Sequence, residues 1–329
     1  MDFADLARLA GGYMEARAIQ AAVGLSVFEA LRDRQDASSV ARAIRCDLRA
    51  TELLLNALVS IGLLTKEGSS YSLTEISSTY LVKGSPNYLG GMVLFESSLW
   101  KCWGDLEKAL RTGKPPRMPD TYQGNPEETE RFIDAMDSLV RARGDAEVVA
   151  ERLDLSQVNE LLDVGSGPAT YPIYFCRKYS TLRATVFDLP GTLKITERFV
   201  RSSGVSDRIR LIQGDYRLDP IPGTYQAVFL SNIIHGESGD ENERLMAKLY
   251  ACIAPGGRII IKDHILDDSL AHPGAGAMFS LLMLLTTERG RCYSLNEVKG
   301  WLEKAGFQRV NDATLPSPLT SSLVIGEKA

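Results

Sequence analysis

The run Leu161-Leu162-Asp163-Val164-Gly165-Ser166-Gly167-Pro168 decides the fold: a short, mostly apolar stretch, then a turn built on two glycines, with a helix expected from about Ala169. Glycine at such a turn lets the backbone bend tightly and approach a ligand with no β-carbon in between. The helix that follows presents free N–H groups and the positive end of its dipole. A dinucleotide fingerprint would place a third glycine at position 170, where Thr170 stands instead, so a pyrophosphate-bearing cofactor is disfavoured. Taken alone, the turn fits any strand-to-helix junction.

Toward the C-terminus four more apolar runs follow: Ala184–Phe187, Ile209–Ile212, Ala227–Leu230 and Arg258–Ile261, separated by stretches of helical pattern. That alternation predicts an α/β domain over residues 156–329, a parallel sheet with helices on both faces. Two of the runs end in acids, Asp188-Leu189-Pro190 and Gly214-Asp215-Tyr216. Asp188, 23 residues beyond Gly165, can accept two hydrogen bonds from a ribose diol, and Tyr216 can lie against an adenine. Ligands of open α/β sheets bind beyond the carboxyl ends of the strands. The glycine turn, Asp188 and the Asp215-Tyr216 pair therefore point into one crevice.

Toward the N-terminus, apolar residues recur at helical spacing over Tyr13–Leu31, Ser39–Ile44 and Thr51–Leu63. A hairpin of Leu63-Leu64-Thr65 and Tyr71-Ser72-Leu73 about the turn Lys66–Ser70 then completes a helix-turn-helix with a wing, in a domain spanning residues 1–86. Such a unit can read DNA. Yet residues 1–85 hold 9 Lys and Arg against 10 Asp and Glu, and the segment Thr51–Asn56 is acidic and apolar where a groove reader is basic. A surface that pairs with a second copy of the chain fits better. Residues 87–155 read as a helical bridge, broken at Gly113-Lys114-Pro115-Pro116 and Gln123-Gly124-Asn125-Pro126.

The bulk numbers agree. With 329 residues, 44% hydrophobic and 24% charged, the chain has globular composition, and a net charge of −5 gives no general attraction to nucleic acid or anionic lipid. A small-molecule partner is expected. The N-terminus does not read as a signal peptide, and the most apolar segment, Met278–Leu285, is far shorter than the roughly 20 residues that span a bilayer. Cys46, Cys102, Cys176, Cys252 and Cys292 are scattered singly and histidines number three, so neither a disulfide framework nor a metal site is encoded. A reducing cytoplasm is the expected setting.

In order, Asp163-Val164-Gly165-Ser166-Gly167, Phe187-Asp188-Leu189-Pro190, Gly214-Asp215-Tyr216, Ser231-Asn232-Ile233-Ile234-His235 and Ala254-Pro255-Gly256-Gly257 resemble the S-adenosylmethionine-dependent small-molecule O-methyltransferases of the caffeate and acetylserotonin type. Trp103-Gly104-Asp105-Leu106 before Gly113, and Phe132 to Met136, fit the same pattern. The resemblance implies a Rossmann-like class I methyltransferase sheet behind a winged-helix dimerisation domain, S-adenosylmethionine as cofactor with no metal, and a homodimer. It places Gly165 and Gly167 under the methionine part, Asp188 and Leu189 at the ribose, and Gly214, Asp215 and Tyr216 at the adenine. Ser231 stands where many relatives have a lysine near the cofactor.

It also makes His235 the general base. A phenol is mostly protonated at neutral pH, so an imidazole that takes its proton as the oxygen attacks the sulfonium methyl contributes roughly 10²–10⁴ in rate. Asp263 takes the place of the glutamate that orients that histidine; its plain alternative is a solvated strand-end acid beside Lys262. The chain departs from the pattern twice. The histidine leads into Gly236-Glu237-Ser238, read as a flexible acidic loop, and Cys292 occupies the position of a second flanking glutamate. Trp100, Phe132, Met136, Asn232, Met278, Met283 and Thr287 would line the acceptor pocket. His264, expected on the opposite strand face, and His272, in a Gly/Pro loop, receive no role. Three readings stay open: O-methylation; a family member that keeps the cofactor pocket but performs C- or N-methylation or a non-methylating reaction; and a winged-helix DNA-binding regulator.

Overall fold

The computed structural model describes residues 1–117 and 124–329. They form two compact units, one of Met1–Trp100 with Asp134–Ala142, the other of Lys101–Ile133 with Arg143–Ala329. The helix Pro126–Arg143 contributes to both, so the stretch 87–155 is divided between them.

The first unit is helical with a small antiparallel sheet. The pattern over Tyr13–Leu31 yields two helices, Tyr13–Gly24 and Val27–Ala30, because Ser26 takes a left-handed backbone at φ 60°. Helices Ala37–Ile44 and Leu48–Ser60 start where Asp36 and Asp47 accept the N–H of Ser39 and Ala50. The cap at Asp47 sets a start earlier than the Thr51 that apolar spacing suggests. Strands β1 (Gln35–Asp36), β2 (Leu64–Glu67) and β3 (Ser70–Leu73) lie in the order β1-β3-β2. Glu67 pairs with Ser70, so the wing turns on Gly68-Ser69 alone, tighter than the expected Lys66–Ser70. Phe28, Leu31, Val40, Leu55, Leu58 and Tyr71 make its core.

The second unit carries a seven-stranded sheet of β4 (Glu160–Val164), β5 (Arg183–Asp188), β6 (Ile209–Gln213), β7 (Tyr225–Ser231), β8 (Ile253–Asp263), β11 (Gln308–Thr314) and β12 (Ser322–Glu327). Their order is β11-β12-β8-β7-β4-β5-β6. Two-residue strands β9 (Ile265–Leu266) and β10 (Tyr293–Ser294) pair separately. The sheet is parallel through β8-β7-β4-β5-β6, as expected, and becomes mixed at one end. β11 and β12 form an antiparallel hairpin whose second strand runs antiparallel beside β8, a pairing that needs no crossover helix. β8 absorbs the motif Ala254–Gly257, and a β-carbon on Gly257 would meet the Gln226 carbonyl oxygen at 2.7 Å.

One sheet face packs Leu162, Val164, Val228, Leu230, Ile259 and Ile261 against helices Gly239–Cys252 and Leu295–Ala305. On the other face Phe229 meets Tyr171 and Phe175 of helix Thr170–Lys178, ring centroids 5.1 and 5.5 Å away. Period-two alternation therefore sends Asp163, Asp188, Ser231 and Lys262 toward Phe229, and Asp263 toward the opposite face. Among the described residues, no helix is long and apolar enough to cross a membrane and no cluster of His, Cys, Asp and Glu could hold a metal ion.

Candidate active site

Three consecutive features bend the chain after β4: Gly165 at φ 64°, Gly167 at φ 60° and Ala169 at φ 61°. The Gly165 N–H donates to the Phe187 carbonyl at 2.9 Å. A β-carbon on Gly165 would lie 2.4 Å from Ile233 Cδ1 and 3.7 Å from Tyr216 Cε1. Glycine is therefore what lets the tips of β4, β6 and β7 converge.

Asp188 ends β5 almost fully buried. Its carboxylate accepts the N–H of Gly167 at 2.8 Å and of Leu189 at 2.7 Å, yet burial still pushes the carboxyl up to about 6. Gly214 donates its N–H to the Asp188 carbonyl, and a β-carbon there would strike the Phe187 ring at 2.2 Å. Asp215 departs from the simplest adenine reading, because its carboxylate is held by Arg217, with the backbone N–H at 2.9 Å and Nε at 3.0 Å. Burial would raise that carboxyl, but the Arg217 hydrogen bonds and charge hold it below the usual range. Tyr216 stays beside the glycine turn and donates its hydroxyl to Glu237 Oε1 at 2.7 Å.

Beneath the turn lies a buried polar cluster that sequence reasoning missed. Lys262, 2% exposed, is the ladder partner of Ser231, and its ammonium lies 3.4 Å from Asp145 and 5.6 Å from the Tyr171 ring centroid. Burial pulls this ammonium below its usual range against the attraction of Asp145. Asp263, 1% exposed, is thus not a solvated strand-end acid beside Lys262. Asp163, which accepts the Ser166 hydroxyl at 2.6 Å, is pushed by burial up to about 8. Arg143 Nε, Asp145 Oδ1 and Asp163 Oδ1 are all buried without a hydrogen-bond partner.

On the opposite face, the short turn Ile234–Gly236 after β7 presents His235. Its Nδ1 lies 2.8 Å from Asp263 Oδ1, with the side chains 12% and 1% exposed. Since a carboxylate only accepts, the shared proton sits on Nδ1 and leaves Nε2 with its lone pair. Burial would raise the Asp263 carboxyl, but His235, by its charge once protonated and by its hydrogen bond, and the backbone N–H of His264 hold it below the usual carboxylate range. Cys292 is buried close enough to feel the Asp263 charge, and burial pushes its thiol up to about 12. It therefore stays neutral and cannot act as a second carboxylate.

The loop after His235 is anchored, contrary to the flexible reading. Glu237 is buried, holds Tyr216 through its side chain and accepts the Tyr293 hydroxyl through its carbonyl at 2.5 Å, while Asn242 Nδ2 donates to the Ile234 carbonyl at 2.8 Å. Gly290 presses from the other side, since a β-carbon there would lie 2.3 Å from the His235 carbonyl oxygen.

His264 also departs from expectation. Strand β8 ends at Asp263, so alternation no longer governs the next residue, and the His264 ring centroid stands 6.5 Å from that of His235. Phe279 lies against both, 4.8 Å from His235 and 4.5 Å from His264. Of the acceptor-lining candidates in this unit, Met283 is buried, Met278 is mostly exposed, Phe132 is half-buried and Asn232 is exposed at φ 56°. The Thr287 hydroxyl is used locally, donating to the Met283 carbonyl and accepting the Gly290 N–H. Trp100 and Met136 belong to the first unit, where Trp100 is exposed with the Arg17 guanidinium 4.9 Å from its ring centroid.

A mixed sheet with a glycine turn, a ribose-type acid and a histidine–carboxylate pair at adjoining strand tips defines a class I methyltransferase. The chain belongs to the O-methyltransferase family: the family model described as O-methyltransferase domain matches residues 106–308, and that of the O-methyltransferase dimerisation domain matches residues 7–83. It is similar to 3-hydroxy-5-methyl-1-naphthoate 3-O-methyltransferase of Streptomyces sahachiroi, 31% identical over 98% of this chain and 95% of the relative. The Streptomyces glaucescens tetracenomycin polyketide synthesis 8-O-methyl transferase is 30% identical over 98% of this chain and 96% of its own. Human N-acetylserotonin methyltransferase in complex with S-adenosylmethionine superposes with a TM-score of 0.90 at 25% identity, covering 100% of this chain and 99% of that one.

Proposed function

We propose that this enzyme moves the methyl group of S-adenosylmethionine onto a hydroxyl oxygen of a small aromatic molecule, with His235 removing the hydroxyl proton. The observation that carries this reading is the 2.8 Å contact of His235 Nδ1 with Asp263, which leaves Nε2 as a base and keeps a charge in place for the imidazolium that forms. An aromatic amine already has a free lone pair at neutral pH and needs no such dyad before attack, so the pair favours oxygen over aromatic nitrogen. Incubation with methyl-labelled S-adenosylmethionine and a panel of phenols is expected to give labelled methyl ethers. Cofactor uptake without any labelled ether would sink the reading.

The residues fit the donor. Bound S-adenosylmethionine supplies an electrophilic methyl group on a sulfonium. Asp188 would take the ribose hydroxyls, the Gly165–Gly167 turn admits the backbone-close part of the molecule, and Tyr216 would lie along the adenine beside the Asp215 backbone. The methionine end carries one cation and one anion, and the buried Arg143 Nε, which has no hydrogen bond and stands 3.9 Å from Asp145 Oδ1, would meet the carboxylate.

The first unit supplies a homodimer face. Phe3, Leu6, Leu9, Tyr13 and Met14 are all more than half exposed at the chain's start. Leu6→Glu with Leu9→Glu is expected to shift the protein from dimer to monomer in sedimentation velocity; an unchanged coefficient removes this face from the dimer. Five free cysteines, four of them buried, fit a cytoplasmic enzyme.

A further inference from the structure

His264 does no work in the chemistry described above. It is nevertheless the second imidazole beside the proposed base, with Phe279 packed against both rings. Its Nδ1 lies 3.1 Å from the Thr320 carbonyl oxygen, which can only accept, so Nδ1 carries the proton and Nε2 carries the lone pair. Burial pulls this imidazole down to about 4, so the ring is neutral wherever the enzyme works near neutral pH. Asp263 Oδ1 ties the two histidines together, accepting His235 Nδ1 at 2.8 Å and the His264 backbone N–H at 2.7 Å. Both rings therefore have fixed tautomers of the same sense.

Among the described residues neither Nε2 has a hydrogen-bond partner, and neither is among the buried atoms that lack one. Each Nε2 is thus not sealed off from a hydrogen-bonding partner. Two lone pairs on rings whose centroids are 6.5 Å apart, each reached by a hydrogen bond of about 2.8 Å, suit a molecule carrying two donors on one edge of an aromatic system. The Phe279 ring between them gives that aromatic an edge or face to pack on.

We propose that His264 is a substrate-contacting, specificity-determining residue: while His235 takes the proton of the hydroxyl to be methylated, His264 Nε2 accepts a hydrogen bond from a second hydroxyl on the same ring system. The acceptor class is then an aromatic diol rather than a lone phenol. This rests on the O-methylation reading, so its test pairs turnover with binding, which needs no methyl transfer.

Protein loaded with S-adenosylhomocysteine is titrated by calorimetry with 2-naphthol and with 2,3-dihydroxynaphthalene, and the same compounds are offered with labelled S-adenosylmethionine. The wild type is expected to bind the diol about tenfold more tightly than the monol, the worth of one hydrogen bond. His264→Leu is expected to erase that preference, lowering diol affinity about tenfold more than monol affinity. His264→Gln, which keeps an accepting oxygen, is expected to restore part of it. Equal affinity of the wild type for the two naphthols, or an equal loss for both in His264→Leu, overturns the assignment. A diol preference lost in His264→Leu, with no labelled ether from any compound, supports the assignment and overturns the O-methylation reading instead.

Discussion

Replacement of His235 by alanine is expected to lower turnover by roughly 10²–10⁴-fold, the usual contribution of a positioned general base, with S-adenosylmethionine affinity nearly unchanged. The separation of the two effects follows from the geometry. His235 and Asp263 belong to the sheet face carrying Leu162 and Leu230, whereas Asp188, Asp163 and the polar cluster about Lys262 belong to the face carrying Phe229. A side chain on one face can be removed without touching hydrogen bonds on the other. His235→Ala also spares the backbone that anchors the loop, since Asn242 holds the Ile234 carbonyl and Tyr293 holds that of Glu237. Thermal melting should therefore change little. Asp263→Asn is expected to lower turnover by a similar order, because an amide cannot offset the imidazolium charge that develops during proton transfer. Single-turnover rates of both variants with saturating donor make the check, and full activity in His235→Ala would remove the mechanism.

The parts legible in the sequence were those written in local pattern. The strand tips announced themselves because each couples an apolar run to a glycine, an acid or a histidine, and five such couplings in order leave few arrangements open. The hairpin β11–β12 escaped because β11 is largely exposed and shows no apolar run. Phe279 escaped for the opposite reason: the helix Gly274–Thr286 is apolar nearly all round, so no periodicity marks the face that meets His235. The buried pairing of Lys262 escaped because its partner Asp145 lies more than a hundred residues earlier and only the folded chain joins them. His264 was placed by an alternation that holds only inside a ladder, and the ladder ends one residue before it.

With the ribose on Asp188 as proposed, donor affinity is expected to depend on pH. The folded-state pKa of Asp188 is raised, from 3.8 to about 6, chiefly by burial. The fold therefore favours the protonated acid, and the stability it contributes is present below the unfolded value and lost as pH rises through the folded one. Over that window the donor-free protein is expected to lose about 3 kcal/mol of stability from this group. Asp163, pushed to about 8, continues the same trend to higher pH. For a ribose held on Asp188 as proposed, binding runs the other way, since the ionised carboxylate accepts from both hydroxyls whereas the protonated acid turns one of its oxygens into a donor. Affinity for S-adenosylmethionine should weaken by about tenfold for each pH unit below about 6. Asp188→Asn is expected to weaken the donor by roughly 100-fold or more at neutral pH, the loss of two hydrogen bonds to a charged group, and to flatten the dependence of both affinity and melting temperature on pH between 4 and 6. Calorimetric titration with S-adenosylmethionine and melting scans across that range provide the measurement. An affinity that stays level as the wild type is acidified, or a variant that keeps the wild-type slope, would place the ribose somewhere other than on Asp188.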